Sequence, residues 1–256
     1  MKIEPSSRET GAQALDRALA LFVAVMKDRG RTPLGQLAER LNIPISTAHR
    51  LMAAFERQRL ITRGARGRYV AGMGLAELGP DRRAVLIQAS RPLLRRVARA
   101  QKSTAHLGIL EADMVTYLVK EHGGGPGVFT RELMQLEAYC TGIGKVLLAG
   151  LDTAARERYL AAGPFVPLTG TTLTEPGDLR RSLAAVEGQG YAIDDAEMAE
   201  NVHCVAVPVH DGQGRVIAAI SLSSADLQAP GTDVLIPALR GCAAAIEAKL
   251  FGQPQP

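Results

Sequence analysis

Residues 33–57, PLGQLAERLNIPISTAHRLMAAFER, are followed after Gln58-Arg59 by LITRGARGRYV, and this juncture limits the possible folds more than any other stretch. Leu34, Leu37, Ala38 and Leu41 recur at three- and four-residue steps, which places them on one face of a helix. Asn42-Ile43-Pro44 ends that helix, because proline biases its predecessor away from helical geometry. Ser46 or Thr47 is then expected to cap a second helix. Within it Ala48, Leu51, Met52 and Phe55 form the buried stripe. Ser46, Arg50, Ala53 and Arg57 point the opposite way, with Thr47 and His49 on the flanks. Small and polar groups beside arginines suit a DNA major groove, where they meet phosphates and base edges.

A helical hairpin with a merely solvated face would share this pattern, so the segment that follows decides between the two. Leu60-Ile61-Thr62 and Arg68-Tyr69-Val70 read as strands, with turn residues Gly64-Ala65-Arg66-Gly67 between them. Arg63, Arg66 and Arg68 cluster at the tip. With an upstream helix over 14–26, carrying Leu15, Ala18, Leu19, Phe22, Val23 and Met26, this makes a winged helix-turn-helix. Charge agrees with that reading. Residues 1–79 hold 13 Lys+Arg against 7 Asp+Glu, while the remainder holds 17 against 19. Positive charge is concentrated where a polyanion would be met.

A chain of 256 residues fits two ordinary domains. Its 46% hydrophobic content supplies aliphatic cores, with 4% aromatics and no Trp. No apolar run reaches membrane-spanning length, and residues 1–10 lack the composition of a signal peptide. Cys140, Cys204 and Cys242 make no metal-ligand spacing, so the chain reads as cytoplasmic and reduced, with no metal and no cofactor. The joint between domains falls at Gly79-Pro80-Asp81-Arg82-Arg83. The domains are expected at 12–79 and 103–251, joined by a linker over 80–102. Within that linker, residues 84–100 read as a helix interrupted where Arg91 precedes Pro92. Val85, Leu86, Leu93, Leu94 and Val97 exceed what a linker needs, which suggests pairing with a second subunit.

Past residue 103 the pattern becomes one of strands. Segments 105–110 and 114–119 flank Glu111-Ala112-Asp113, and segments 202–209 and 216–223 flank a turn with Asp211-Gly212. Helices are expected over 143–148, 153–162, 176–187 and 233–250. Strand pairs segregated from helices predict an α+β domain with an antiparallel sheet.

Candidate catalytic motifs fail on inspection. Gly144-Lys145 is not a phosphate loop, because Tyr139 stands where the first glycine belongs and Val146 replaces the metal-binding hydroxyl. His122-Gly123-Gly124-Gly125 resembles an esterase oxyanion loop, yet no Gly-x-Ser-x-Gly elbow accompanies it. It reads instead as a loop after a strand ending at Val119. His203 adjoins Cys204 in sequence and so faces the other side of a strand. No catalytic residue is therefore assigned. The alternative, a small-molecule enzyme with an accessory winged-helix domain, lacks a nucleophile elbow, a phosphate loop and a metal cluster.

The remaining polar groups suit binding. Asp194, Cys204, Ser221 and Ser223 lie on or beside strands, the serines sharing a face, and Gly142-Ile143 opens a helix whose N–H groups can hold an anion. Together they form a pocket for a small carboxylate or other polar metabolite.

Both halves together resemble the IclR family of bacterial transcriptional regulators over about residues 12–250. The resemblance rests on ALDRALALF, LGQLAERLNIPISTAHRLMAAFE and GRYVAGMGLAELG in the first domain. In the second it rests on YCTGIGKVLLAG, on GYAIDDAEMAENVHCVAVPVHDGQGRVIAAISLS, and on Thr172 and Thr174. It implies a GAF-like effector domain, dimers or dimers of dimers on palindromic operators, repressor or activator action on catabolic genes, and an organic-acid effector. The family's effector pocket falls on Leu136, Gly142, Ile143, Asp194, Cys204, Ser221 and Ser223, of which the resemblance alone supplies Leu136. Glu137 and Tyr139 stand where Pro and His are common, Gly142 where Ala is, and Arg59 where a glycine often follows the second helix.

Overall fold

The computed structural model describes residues 7–79, 81–225 and 231–252, and the chain divides between residues 80 and 81 into two compact units. The first contains α1 (Ser7–Asp28), α2 (Leu34–Arg40), α3 (Ile45–Arg57), β1 (Ile61–Arg63), β2 (Tyr69–Ala71) and α4 (Met73–Leu78). Its core is small: Leu21, Val25, Leu34, Leu37, Ala38, Ile43, Ala48, Met52, Ile61 and Tyr69. Ile61 pairs with Ala71 and Arg63 with Tyr69, so alternate residues of the hairpin turn inward. Two sequence expectations need correction here. α3 starts at Ile45 after Pro44 with no side-chain cap, so Ser46 and Thr47 lie within its first turn. α1 buries Leu21 and Val25, whereas Leu15, Leu19 and Val23 are 59%, 52% and 46% exposed. Phe22 and Met26 pack against the same core, so of the apolar positions read from periodicity these turn inward while Leu15, Leu19 and Val23 do not.

The second unit opens with α5 (Arg82–Gln101). Pro92 does not interrupt it, although proline removes a helical N–H donor. Leu94 and Ala98 are fully buried against the sheet, and this packing outweighs the lost bond. Pro80, at the joint, lies outside the described residues. β3 (Thr104–Glu111) and β4 (Met114–His122) follow, so the strand expected to end at Val119 runs on to His122. Next come β5 (Gln135–Glu137), α6 (Gly142–Ala149), α7 (Thr153–Ala161), α8 (Pro176–Gln189), β6 (Ala192–Asp195), β7 (His203–His210), β8 (Val216–Ser224) and α9 (Thr232–Phe251).

The sheet is antiparallel in the order β5-β4-β3-β8-β7-β6. The turn between β3 and β4 places Ala112 and Asp113 at φ 47° and 68°, the geometry that suits a two-residue hairpin. Helices cover both faces. α5 and α9 bury Leu94, Val97, Leu239 and Ile246 against Leu107, Val205, Val207, Ile220 and Leu222. α6 and α8 bury Ile143, Val146, Leu179 and Leu183 against Val115, Tyr117, Ala206 and Ala219. Among the described residues no helix is long and apolar enough to cross a membrane.

Candidate functional site

On the first unit, burial of Ala48 and Met52 turns the opposite face of α3 outward. Ser46, His49, Arg50 and Arg57 are exposed and Thr47 is half-buried. In the hairpin Arg63 and Arg66 are exposed, with Arg66 in the left-handed region at φ 58° in the tip turn. Arg50, Arg57, Arg63 and Arg66 form no ion pair among the described residues. Arg68 differs from the other tip arginines. It is half-buried, and its Nε is enclosed without a hydrogen-bond partner.

On the second unit, strand register builds a polar floor. Asp194, Cys204, Ser223, Thr104 and His122 are successive cross-strand partners along one row, and Ala206, Ser221, His106 and Lys120 form the next. The N-terminus of α6 sits over the first row. A Cβ at Gly142 would lie 3.0 Å from the Cys204 Sγ, so glycine allows this approach. Thr141 caps α6, its hydroxyl accepting from the Gly144 N–H at 3.1 Å and donating to the Glu137 carbonyl at 3.0 Å. With the Gly144 N–H taken by the cap, the Gly142 and Ile143 N–H groups are the ones left open in the first turn of α6.

These elements enclose a cavity of about 20 Å³ lined by Tyr117, Leu136, Gly142, Asp194, Cys204 and Ser223, with Val128, Phe129 and Thr130 along one wall. That is room for about one water. Ile143 and Ser221 do not line it. Ile143 is buried in the α6 layer, and Ser221 lies one row deeper, its Oγ 3.5 Å from the His106 Nδ1.

Electrostatics at the floor are dominated by burial. The Asp194 carboxyl is pushed up to about 7 by desolvation, although its Oδ1 accepts the Glu197 and Met198 N–H groups at 2.8 and 3.3 Å and Lys145 stands nearby. Burial, with Asp194 adding to it, pushes the Cys204 thiol to about 11, so it is protonated near neutrality. His203 faces away from the cavity and pairs with Asp195 at 2.7 Å. Burial, then Lys120, push His106 down to about 3, and its Nε2 lies 2.7 Å from the Thr130 Oγ1. Behind Asp194, Lys145 and Glu197 form a buried ion pair at 2.5 Å, with the Glu197 Oε2 unpartnered.

The raised Asp194 value has a measurable consequence. The folded carboxyl keeps its proton up to about pH 7, whereas the unfolded one loses it near 3.8. The folded state therefore binds the extra proton between those values, and stability falls as pH rises through that window. In Asp194→Asn this fall is expected to vanish. Unfolding midpoints taken from about pH 4 to about pH 8 with the slope unchanged would count against it.

A larger open groove of about 870 Å³ borders α8, β7 and α9. Its charged groups already have partners: His210 with Glu247, Arg215 with Asp211, and Arg240 with the Gln189 carbonyl. The smaller cavity, with its free helix N–H groups, is the better candidate for recognition.

Residues 82–248 match the family model of the bacterial transcriptional regulator IclR C-terminal domain, and residues 14–65 match the IclR helix-turn-helix domain. The chain belongs to the IclR family of bacterial transcriptional regulators. It carries the DNA-binding and effector-binding domains of an IclR-type regulator. The HTH-type transcriptional regulator BhcR of Paracoccus denitrificans is 33% identical over 234 residues, covering 85% of this chain and 79% of that one. The Thermotoga maritima IclR structure aligns at a TM-score of 0.62 and 26% identity, covering 94% of this chain and 99% of that one. An IclR homolog from Microbacterium hydrocarbonoxydans, solved with 4-hydroxybenzoate, aligns at 0.62 and 28% identity, covering 93% and 98%.

Sequence reasoning missed several cavity residues of this IclR-type domain: Tyr117, Val128, Phe129, Thr130, Thr141, Met198 and Val202. Only Thr141 left a signal, as a capping residue directly before a helix. Thr172, singled out by the resemblance, holds the loop behind Asp194, its hydroxyl donating to the Glu197 carbonyl at 2.6 Å.

Proposed function

We propose that α3 enters the major groove of operator DNA and presents Ser46, Thr47, His49, Arg50 and Arg57, while Arg63, Arg66 and Arg68 hold the flanking backbone. One observation carries this reading: the outward face of α3 bears exposed arginines with no ion pair among the described residues. The uncapped first turn of α3 adds N–H groups that favour a phosphate. Pairing of two copies would place two reading helices on a palindromic operator. Leu15, Leu19 and Val23, exposed at every fourth position of α1, support such pairing.

The pocket formed by Leu136, Gly142, Asp194, Cys204 and Ser223, with Ile143 and Ser221 behind them, takes a small organic acid and thereby controls a catabolic operon. Its carboxylate would meet the N–H groups of α6, and Asp194, holding its proton near neutrality, donates a hydrogen bond instead of repelling it. Tyr117, Val128 and Leu136 suit an apolar body such as the ring of the 4-hydroxybenzoate carried by the Microbacterium homolog.

Arg50→Ala tests the DNA face. Specific duplex affinity is expected to fall by about 1–3 kcal/mol, roughly 5- to 150-fold, with the fold unchanged. A variant that binds its selected operator as tightly as the parent would contradict the assignment.

A further inference from the structure

A cavity with room for one water must enlarge before a metabolite enters, and the walls differ in what holds them. Asp194, Cys204 and Ser223 lie on paired strands and Gly142 on a helix. Val128, Phe129 and Thr130 belong to a strap over 123–134 outside any strand or helix. Gly123 is fixed: its N–H donates to the Ser103 carbonyl, and a Cβ there would lie 1.9 Å from the Ala98 carbonyl oxygen at the end of α5. Gly124 and Gly125 follow at φ 115° and 77°, and at the other end Leu133 is at φ 63°, its N–H on the Tyr117 carbonyl. The middle is clamped from below. The Lys120 ammonium donates to the Val128 and Thr130 carbonyls, and the Thr130 hydroxyl meets His106.

The strap also has a connection to α5. Glu132 accepts the Lys120 N–H at 3.1 Å and Arg91 Nη1 at 2.7 Å through the same Oε1. That Arg91 nitrogen also donates to Glu121 on β4 at 3.1 Å, and Arg95, one turn later, donates to Glu121 at 2.8 Å. Arg95–Glu121 thus docks α5 on the sheet whatever the strap does. Arg91 alone divides its bonds between the fixed strand and the strap. α5 is the helix that directly follows the DNA-reading unit along the chain.

We propose that Arg91 is the positioning residue of the regulatory response: the 123–134 strap is the moving wall of the effector cavity, and the Arg91–Glu132 contact carries its displacement to α5. This rests on reading the cavity as the effector site. When the strap swings out, Glu132 leaves Arg91 and the arginine falls back on Glu121, so Arg91 exchanges two partners for one while Arg83–Glu111 and Arg95–Glu121 still hold α5 to the sheet. The coupling is reciprocal: whatever draws α5 away from Glu132 loosens the strap.

Hydrogen exchange on the full chain tests this without any effector, so a wrong effector assignment and a wrong transmission route give different results. Lys120→Met frees the strap carbonyls and is expected to speed exchange of strap amides. It should also speed exchange in α5 peptides over 86–99, by about fivefold or more. In a Glu132→Gln background, which keeps an acceptor for the Lys120 N–H but removes the charge pair, the strap still loosens while the α5 effect shrinks below about twofold. Thr130→Val gives a milder strap perturbation if Lys120→Met proves unstable, with β8 peptides reporting global unfolding. α5 exchange unmoved by a loosened strap would overturn the proposal, as would α5 moving equally with and without Glu132.

Discussion

Lys145→Met is expected to destabilise the C-terminal unit by about 3–5 kcal/mol, a lower urea midpoint at unchanged slope. Lys145 lies on α6 with its ammonium 2.5 Å from Glu197, and both side chains are buried. The second oxygen of Glu197 already lacks a partner, so removing the lysine leaves a carboxylate with no charge to offset its desolvation. Asp194 also loses the cation that opposes its upward shift. Adding Glu197→Leu should recover much of the loss, because an apolar pair of similar volume removes both desolvation costs. If Lys145→Met costs under about 1 kcal/mol, the carboxylates are solvated in the protein and the electrostatic description of the floor fails.

Met52→Ala is expected to cost about 2–5 kcal/mol in the N-terminal unit. Met52 is fully buried on α3 in a core of ten residues, and small domains have little stability to lose. Duplex binding should therefore drop by at least about tenfold through unfolding of the reading helix. The C-terminal core shares no residue with that cluster, so its unfolding transition should stay where it is in the parent. A single transition that shifts as a whole would show that the two units unfold as one.

Where side-chain pattern and burial agree, the sequence was readable. Ala48 and Met52 turn inward at helical spacing, and the 105–119 hairpin and the Asp211-Gly212 turn appear where periodicity and turn chemistry place them. Three features were less legible, each for a physical reason. Leu15, Leu19 and Val23 share a face of α1 that Leu21 and Val25 oppose, and sequence cannot say which face meets the core. β5 and β6, at three and four residues, exist through pairing with longer strands, and no local pattern reveals them. The candidate pocket is half legible. Asp194, Cys204 and Ser223 are recognisable as polar groups on strands, but only the register sets them in one row and drops Ser221 a row deeper. The strap residues Val128 and Thr130 have no periodicity; their position comes from Lys120 and His106.

One measurement bears most directly on the claim that binding at the C-terminal pocket governs the DNA-reading unit. It is a titration of a selected operator duplex with the full chain, with and without whichever small carboxylate raises its melting temperature. Operator affinity is expected to change by about 5- to 150-fold, and the change to vanish in a Ser221→Ala, Ser223→Ala variant that still binds the duplex. A carboxylate that stabilises the protein yet leaves operator affinity untouched would contradict it.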